Sequence, residues 1–426
     1  MTEDRDRIIL AMCQIGRESD ERFAYRQDEL VGLCEAANAD VIAVVTQNRP
    51  MVDQRTFLGT GKIDELAALA EANEASLIVA DRELSPAQIR NLERLLPCRV
   101  IDRTQLILDI FARRAVTKEG RVQVEMAQLA YLMPRLTGRG VELSRLGGGI
   151  GTRGPGETQL ELDRRRIRTR MASLRKELAE IERQRETARQ RRRRDVPVVA
   201  LVGYTNAGKT TLQAKWVADK GGSASQAGHN RLFDTLDPAA RQVKTKLGHP
   251  YVVIDTVGFV EDLPHHLVEA FRATLEEARH ADVIVIVVDA GHEPGLHLAT
   301  TRSVLRDLKA LDKPIITFFN KMDVIKVRPG PDVGAVETVY GSARAGDLLA
   351  LYEAVEKQLG LDEVRVTIHA KQDDVAWNHL LRNGRIEHAD EVSEGEWEVT
   401  AITSRRDARV WQVNRQDGSQ HDNQSQ

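Results

Sequence analysis

The segment GYTNAGKT, Gly203–Thr210, combines residue types and a spacing that suit phosphate binding. It follows the apolar run VPVVALV and precedes a helical pattern, so it matches G-x-x-x-x-G-K-[ST] in the strand–loop–helix context that this motif requires. Backbone N–H groups of such a loop converge on phosphate oxygens, helped by the helix amino terminus. The Lys209 ammonium can reach the β- and γ-phosphates, and the Thr210 hydroxyl can bind Mg²⁺. The segment therefore predicts a site for a nucleoside triphosphate.

Three further motifs follow in the order of a guanine-nucleotide-binding domain. In DTVG, Asp255 is predicted to complete a magnesium site and the Gly258 amide to sense the γ-phosphate. In NKMD, the Asp323 carboxylate can accept hydrogen bonds from N1 and N2 of guanine, whereas adenine presents neither donor correctly. The segment GSARAG is expected to lie near the guanine carbonyl. Each motif comes at or near the end of an apolar run, so together they predict a GTPase built on a doubly wound α/β sheet.

Two further positions bear on hydrolysis. Thr235, in the loop where a first switch belongs, is the candidate second Mg²⁺ ligand and γ-phosphate sensor. Phe259 follows DTVG directly, at the position where Ras-like enzymes carry the glutamine that orients the attacking water. A hydrophobic side chain cannot orient water, so we expect slow intrinsic hydrolysis, with the water aligned by backbone groups or by a group that a partner orders.

The predicted site residues fall into three sets. The set predicted to act in hydrolysis is Lys209, Thr235 and Gly258, and the set predicted to bind Mg²⁺ is Thr210, Thr235 and Asp255. The set predicted to bind GTP is Gly203, Tyr204, Thr205, Asn206, Ala207, Gly208, Lys209, Thr210, Thr211, Phe233, Asp234, Thr235, Leu236, Asp255, Thr256, Val257, Gly258, Asn320, Lys321, Met322, Asp323, Ser342, Ala343 and Arg344.

The overall composition suits a protein of several domains with apolar cores. The chain has 426 residues, of which 42% are hydrophobic and 29% charged. Its longest aliphatic run, VIVIVV, is too short to cross a bilayer, and the polar start MTEDRDR is not a signal peptide. Its three cysteines, Cys13, Cys34 and Cys98, lack metal-ligand spacing. We expect a cytoplasmic monomer without a transmembrane segment.

The first half of the chain shows two kinds of pattern. Apolar runs at 40–46, 75–81 and 98–102 alternate with helical patterns and predict a parallel α/β domain. Farther on, heptad stripes from Val122 to Leu136 and from Ile167 to Ile181 predict an antiparallel helical hairpin. These stripes could equally be core faces that pack on the N-terminal sheet.

A glycine-rich segment with arginines separates the two stripes. Gly149, Gly151 and Gly154 fit G-x-G-x-x-G, but no buried strand precedes them, so a dinucleotide site is excluded. Residues 163–195 hold 14 Lys and Arg against 6 Asp and Glu, although the whole chain carries a net charge of −3. Such a charge distribution indicates contact with nucleic acid or, equally, a solvated helix face, and the glycine-rich segment could instead be a linker. The predicted RNA-binding residues are Arg139, Arg145, Arg153, Arg164, Arg165 and Arg166.

These patterns divide the chain into five segments. The C-terminal strand, helix and hairpin pattern predicts a small α+β domain, and the polar end of the chain predicts disorder. The predicted segments are an α/β domain at 1–120, a helical hairpin at 121–195, a P-loop GTPase domain at 196–362, an α+β domain at 363–414 and a disordered tail at 415–426.

The motifs GYTNAGKT, DTLDP, DTVGFVEDLPHHLVEAFRATLEEARHAD and GGGIGTRGPGETQLELDRRRIR together resemble the HflX family of ribosome-associated GTPases, over the whole chain. The resemblance implies a GTPase that binds the large ribosomal subunit near the peptidyl-transferase region and splits or rescues stalled ribosomes under stress. It also implies that the ribosome stimulates hydrolysis and that the glycine-rich segment and the arginine-rich helix contact ribosomal RNA. TLQAKWV and Arg344 depart from the family pattern without removing a phosphate or magnesium ligand.

Two other functions are compatible with the sequence. One is an RNA-binding or ribosome-assembly chaperone in which GTP gates affinity and hydrolysis is incidental. The other is partial membrane association through the basic helix, although its apolar stripe is narrow and contains no Trp or Phe. Stimulation of phosphate release by large subunits separates the enzyme from the chaperone.

Overall fold

The computed structural model describes residues 5–136, 155–192, 196–221, 239–259, 277–371, 374–393 and 395–409. By their contacts these residues form two compact units, one containing the described residues up to 188 and the other those from 189 onward. The predicted tail at 415–426 lies outside the described residues. None of the helices in the described ranges is long and apolar enough to span a membrane.

The first unit contains a four-stranded sheet in the order β2-β1-β3-β4, in which every pair of neighbours is parallel. The prediction of a parallel α/β domain is therefore confirmed. Strand β1, an inner strand whose residues 8–13 are all buried, was not among the strands predicted from the sequence. The elements are β1 (Asp6–Ile15), α1 (Asp20–Ala36), β2 (Ala39–Arg49), α2 (Thr60–Ala72), β3 (Leu77–Ala80), α3 (Pro86–Leu95) and β4 (Arg99–Asp102).

The start of α3 shows how local sequence sets these boundaries. The Ser85 hydroxyl accepts a hydrogen bond from the Gln88 amide, and the Gln88 side chain accepts one from the Ser85 amide. This reciprocal capping satisfies two backbone donors at the helix end, and Pro86 fits the first helical position because it has no N–H to satisfy.

Three helices follow the sheet, and all but residues 189–192 at the end of the third belong to the first unit. They are α4 (Arg103–Arg114), α5 (Lys118–Arg135) and α6 (Pro155–Arg192). Two ion pairs join α5 to α6: Arg170 binds Glu125 through two bonds of 2.6 and 2.7 Å, and Lys118 lies 2.8 Å from Glu177. Because an earlier residue of α5 pairs with a later residue of α6, the two helices run antiparallel, as the hairpin prediction requires.

The second unit contains a six-stranded sheet in the order β10-β9-β8-β5-β7-β6, parallel except for the antiparallel edge strand β6. Every residue of β8 is buried, and apolar clusters cover both faces of the sheet, which confirms the doubly wound class. The elements are β5 (Val198–Gly203), α7 (Lys209–Asp219), β6 (Ala239–Lys244), β7 (Pro250–Asp255), β8 (Val283–Asp289), α8 (Pro294–Asp307), β9 (Ile315–Asn320), a 3₁₀ turn (Met322–Val324), β10 (Glu337–Tyr340) and α9 (Leu349–Gln358).

The C-terminal part of this unit is an antiparallel sheet in the order β11-β13-β12 with one helix. Leu380 of the helix packs with Val399 and Ala401 of the central strand in a small core. This is the α+β arrangement that the sequence predicts. The elements are β11 (Glu363–Lys371), α10 (Val375–Asn383), β12 (Arg385–Ser393) and β13 (Glu396–Ser404).

Candidate active site

Two glycines shape the loop between β5 and α7. Gly203 has φ +148°, and a Cβ there would lie 2.2 Å from the Val287 carbonyl oxygen. Gly208 has φ +94°, and a Cβ there would lie 2.3 Å from the Asn320 amide nitrogen. Glycine is therefore needed at both positions, for backbone conformation and for space. The loop consequently lies directly against the carboxyl ends of β8 and β9, where open α/β sheets bind ligands.

Lys209 is the first residue of α7 and is buried. Its ammonium donates hydrogen bonds to the carbonyl oxygens of Gly203 at 3.0 Å and Tyr204 at 2.8 Å. Burial lowers the pKa of Lys209 to about 8, an effect that Asp255 partly opposes. The loop backbone thus fixes the ammonium at the amino end of a helix, a favourable place for a phosphate.

Oxygen ligands suited to magnesium meet beside this lysine. The Thr210 hydroxyl donates to Asp255 Oδ2 at 2.7 Å, and Asp255 is the fully buried last residue of β7. Hydroxyl and carboxylate oxygens are ligands that Mg²⁺ accepts in nucleotide sites. Thr256 and Val257 are buried, and the Thr256 hydroxyl donates to the Leu201 carbonyl at 2.8 Å. Contact of these two residues with nucleotide would therefore come from the backbone.

The segment after β7 is joined to the phosphate loop. Thr205 N–H donates to the Phe259 carbonyl at 2.7 Å, and Phe259 N–H donates to the Gly203 carbonyl at 3.1 Å. Phe259 is 2% exposed and belongs to an apolar core that includes Tyr204. Its ring therefore belongs to the core and is unsuited to orienting water, in agreement with the expectation from sequence. Its backbone holds Gly258 against the loop.

Gly258→Ala is expected to slow hydrolysis by about tenfold or more, because displacing reacting groups by 1 Å can cost up to about a hundredfold. An added Cβ would lie 2.7 Å from Thr205 Cγ2, 2.8 Å from Thr205 Cα and 3.0 Å from Lys209 Nζ. Phosphate release at saturating GTP measures the effect. Gly295→Ala is the matched control, because a Cβ at Gly295 meets nothing within 4 Å. If Gly258→Ala hydrolysed GTP at the wild-type rate, the expectation that a side chain at position 258 displaces Thr205 and Lys209 would be wrong.

The NKMD motif begins at the last residue of β9, and this asparagine is a structural link. Asn320 donates through Nδ2 to the Ala207 carbonyl at 2.8 Å and accepts through Oδ1 from the Ala343 amide at 2.9 Å. Asn320 is buried, so it joins the phosphate loop to the GSARAG loop. Lys321 has φ +63°, and its ammonium lies 2.7 Å from Asp289 Oδ2.

The remaining guanine-motif residues lie beside this link. Asp323 is exposed within the 3₁₀ turn, and Met322 N–H donates to the Gly341 carbonyl at 3.2 Å. The Ser342 hydroxyl accepts from the Ala345 amide at 3.1 Å, whereas Arg344 is exposed. The Asp323 carboxylate is therefore accessible to a purine next to the phosphate loop.

The predicted site residues differ in exposure, and some of them lie outside the described ranges. Asn206 and Thr211 are exposed around the phosphate loop, while Thr205 and Ala207 are buried in it. On α6, Arg164 is half-buried, Arg165 is exposed, and Arg166 lies 3.5 Å from Asp163. Residues outside the described ranges are Phe233, Asp234, Thr235 and Leu236 of the predicted first switch and Arg139, Arg145 and Arg153 of the glycine-rich segment.

Two residues beside the site are not predicted by any motif in the sequence. Asp289, at the end of β8, is the partner of Lys321, and an aspartate at the end of a central strand could have suggested it. His297 of α8 stacks on Tyr204, with ring centroids 4.0 Å apart. A single histidine within a helical pattern does not indicate such a contact from the sequence alone.

The fold and this site define a P-loop GTPase. Three family models match successive parts of the chain: "GTP-binding GTPase N-terminal" at residues 24–112, "GTP-binding GTPase Middle Region" at 114–192, and "50S ribosome-binding GTPase" at 198–321. The chain belongs to the HflX family of GTPases and is a GTP hydrolase, which confirms the resemblance seen in its motifs.

Individual relatives show how far the similarity extends. The chain is 41% identical over 390 residues to GTPase HflX of Caldanaerobacter subterraneus subsp. tengcongensis, covering 91% of this chain and 88% of the relative. It is 45% identical over 300 residues to GTPase HflX of Escherichia coli K12, covering 70% and 69%. A crystal structure of a GTP-binding protein from Sulfolobus solfataricus in complex with GDP is similar at 22% identity and a TM-score of 0.45, covering 82% and 97%.

Proposed function

We propose that this GTPase is a cytoplasmic monomer that binds the large ribosomal subunit, near the peptidyl-transferase region, and splits or rescues stalled ribosomes under stress. In this proposal the ribosome stimulates hydrolysis of GTP to GDP and phosphate. The match to the model for a 50S ribosome-binding GTPase supports a ribosomal partner. The buried Phe259 supports a need for stimulation, because the residue after DTVG supplies no group that could orient water.

The charge on α6 is the observation that carries the RNA-binding part of the proposal. Arg165, Arg168 and Arg175 are exposed and form no ion pair with any described residue. Spacings of three and seven residues place them along one side of a helix with 3.6 residues per turn. A row of arginines without a carboxylate partner among the described residues is suited to RNA phosphates.

Magnesium is part of the proposed activity. Thr210 would hold the ion through its hydroxyl, Asp255 would support it from the end of β7, and Thr235 remains the predicted further ligand. The 2.7 Å contact between the Thr210 hydroxyl and Asp255 brings the required oxygens together. When bound, the ion would neutralise charge on the phosphates, while Lys209 binds them from the helix side.

The test is to measure phosphate release with purified large subunits, small subunits or neither. Large subunits are expected to accelerate release, and sedimentation is expected to show tighter binding with a non-hydrolysable GTP analogue than with GDP. Nucleotide-dependent sedimentation without acceleration would favour the GTP-gated RNA-binding or assembly chaperone. Absence of both effects would contradict a ribosomal role.

Replacing Arg164, Arg165 and Arg166 together with glutamine is expected to weaken ribosome binding and to flatten its salt dependence. Each lost phosphate contact should reduce the slope of log K against log salt by about 0.7–0.9. The measurement is sedimentation across a salt series. A triple change of the exposed residues Arg382, Arg385 and Arg409 to glutamine removes equal charge and is the control. An unchanged slope in the first variant would mean that these arginines contact no phosphate.

A further inference from the structure

Tyr204 and His297 form a stacked pair of rings beside the phosphate loop. Their centroids are 4.0 Å apart, their planes differ by 15°, and both residues are buried. Burial lowers the pKa of His297 to about 4, so its ring is neutral at neutral pH. The contact is therefore a stack between two uncharged rings, which depends on shape and planarity and not on charge.

The backbone at Tyr204 and Thr205 contacts two parts of the site, the Lys209 ammonium and Phe259 after β7. The Tyr204 carbonyl accepts a hydrogen bond from Lys209 Nζ at 2.8 Å. The neighbouring Thr205 N–H donates to the Phe259 carbonyl at 2.7 Å, which holds Phe259 and the adjacent Gly258. A Cβ at Gly258 would lie 3.0 Å from Lys209 Nζ, so the two residues are neighbours with no room for a side chain between them. Movement of the Tyr204–Thr205 backbone would displace both of them.

His297, the second residue of the stack, is held in place by a segment next to the guanine motif. His297 lies in the first turn of α8, where its N–H donates to the Glu293 carbonyl at 3.1 Å. The turn that leads into α8 starts at Asp289, which Lys321 of the guanine motif binds at 2.7 Å. The His297 side chain thus connects a segment anchored to the guanine motif with the ring of Tyr204.

We propose that His297 is a positioning residue for GTP hydrolysis, which acts by stacking on Tyr204 and so fixing the loop backbone that orients Lys209 and holds Gly258. His297 does not touch the reacting atoms in this proposal. Loss of His297 is expected to lower the rate of GTP hydrolysis, because small displacements of groups around the γ-phosphate slow the reaction steeply.

The first test compares two substitutions that fill the same space. His297→Leu keeps apolar volume but loses the planar face, and it is expected to lower the single-turnover rate at saturating protein by about tenfold. His297→Phe keeps the planar face and is expected to restore a rate close to wild type. Thr301→Val alters another buried side chain one turn along α8 and is the control for disturbed helix packing. Melting temperatures are measured alongside, and rates are taken well below them.

The second test is a double-mutant cycle with Tyr204. If the stack acts as a unit, Tyr204→Leu should slow the reaction about as much as His297→Leu, and the double variant should lose little more than either alone. The proposal is overturned if His297→Leu keeps the wild-type rate, if His297→Phe is as slow as His297→Leu, or if the two losses multiply in the double variant. Should His297→Leu fail to fold, Tyr204→Leu compared with Tyr204→Phe carries the same test.

Discussion

Lys209→Ala is expected to weaken GTP binding by about a hundredfold or more and to abolish measurable hydrolysis, because removing one partner of a buried charge pair costs about 2–5 kcal/mol. The ammonium is buried and held by two carbonyl oxygens of its own loop, so it has little freedom to reorient when phosphate binds. The preorganised charge would be lost together with the side chain. Titration with a fluorescent GTP analogue and phosphate release under single-turnover conditions measure the two effects.

The control for this substitution is Lys357→Ala, which removes an exposed lysine from α9 of the same unit. It should leave both affinity and rate unchanged. If Lys209→Ala bound GTP as tightly as wild type, the loop at 203–210 would not contribute to binding the triphosphate. The assignment of the site would then have to be abandoned.

Much of the fold and the nucleotide site could be predicted because the signals are local. The spacing of Gly203, Gly208 and Lys209 is dictated by one loop, and the glycines are irreplaceable for reasons of backbone and space. The Ser85 cap and Pro86 likewise predict the start of a helix from adjacent residues alone. Parallel strands buried on both faces appear as continuous apolar runs, which is why β8 was evident.

The parts that sequence could not predict depend on contacts between distant residues. Asn320 belongs to the set predicted to bind GTP, and its side chain also joins Ala207 to Ala343, a role that only the folded chain reveals. The stack of His297 on Tyr204 joins residues far apart in the chain through rings that no motif marks. Strand β1 was missed although it is apolar, because it begins a few residues after the charged start of the chain.

Phe259 illustrates how one residue can serve the fold and limit the chemistry. Its ring is buried with Tyr204, and its backbone joins the segment after β7 to the phosphate loop. The same burial makes its side chain unsuited to orienting water. An enzyme built in this way holds Lys209 and Gly258 in place but leaves alignment of the nucleophile to other groups. We therefore expect slow intrinsic hydrolysis and acceleration by a partner from that single arrangement.

Asp323→Asn is expected to reduce affinity for GTP by about a hundredfold or more and to create affinity for xanthosine triphosphate, because two hydrogen bonds to a charged group, each worth about 1.5–3 kcal/mol, are lost with guanine. Xanthine carries a carbonyl where guanine carries its amino group, so the asparagine amide can donate there and accept from N1. The Asp323 carboxylate is exposed beside the loop that Asn320 fixes, where a base can reach it.

Competition between the two triphosphates for the wild-type and variant proteins measures this switch. Asp312→Asn, which neutralises an exposed carboxylate before β9, is the matched control and should keep guanine preference. Because Asp323→Asn leaves the phosphate loop intact, the variant should hydrolyse bound xanthosine triphosphate at a rate near that of wild type with GTP. Loss of binding to both nucleotides would indicate a damaged fold, whereas unaltered guanine preference would show that another group selects the base.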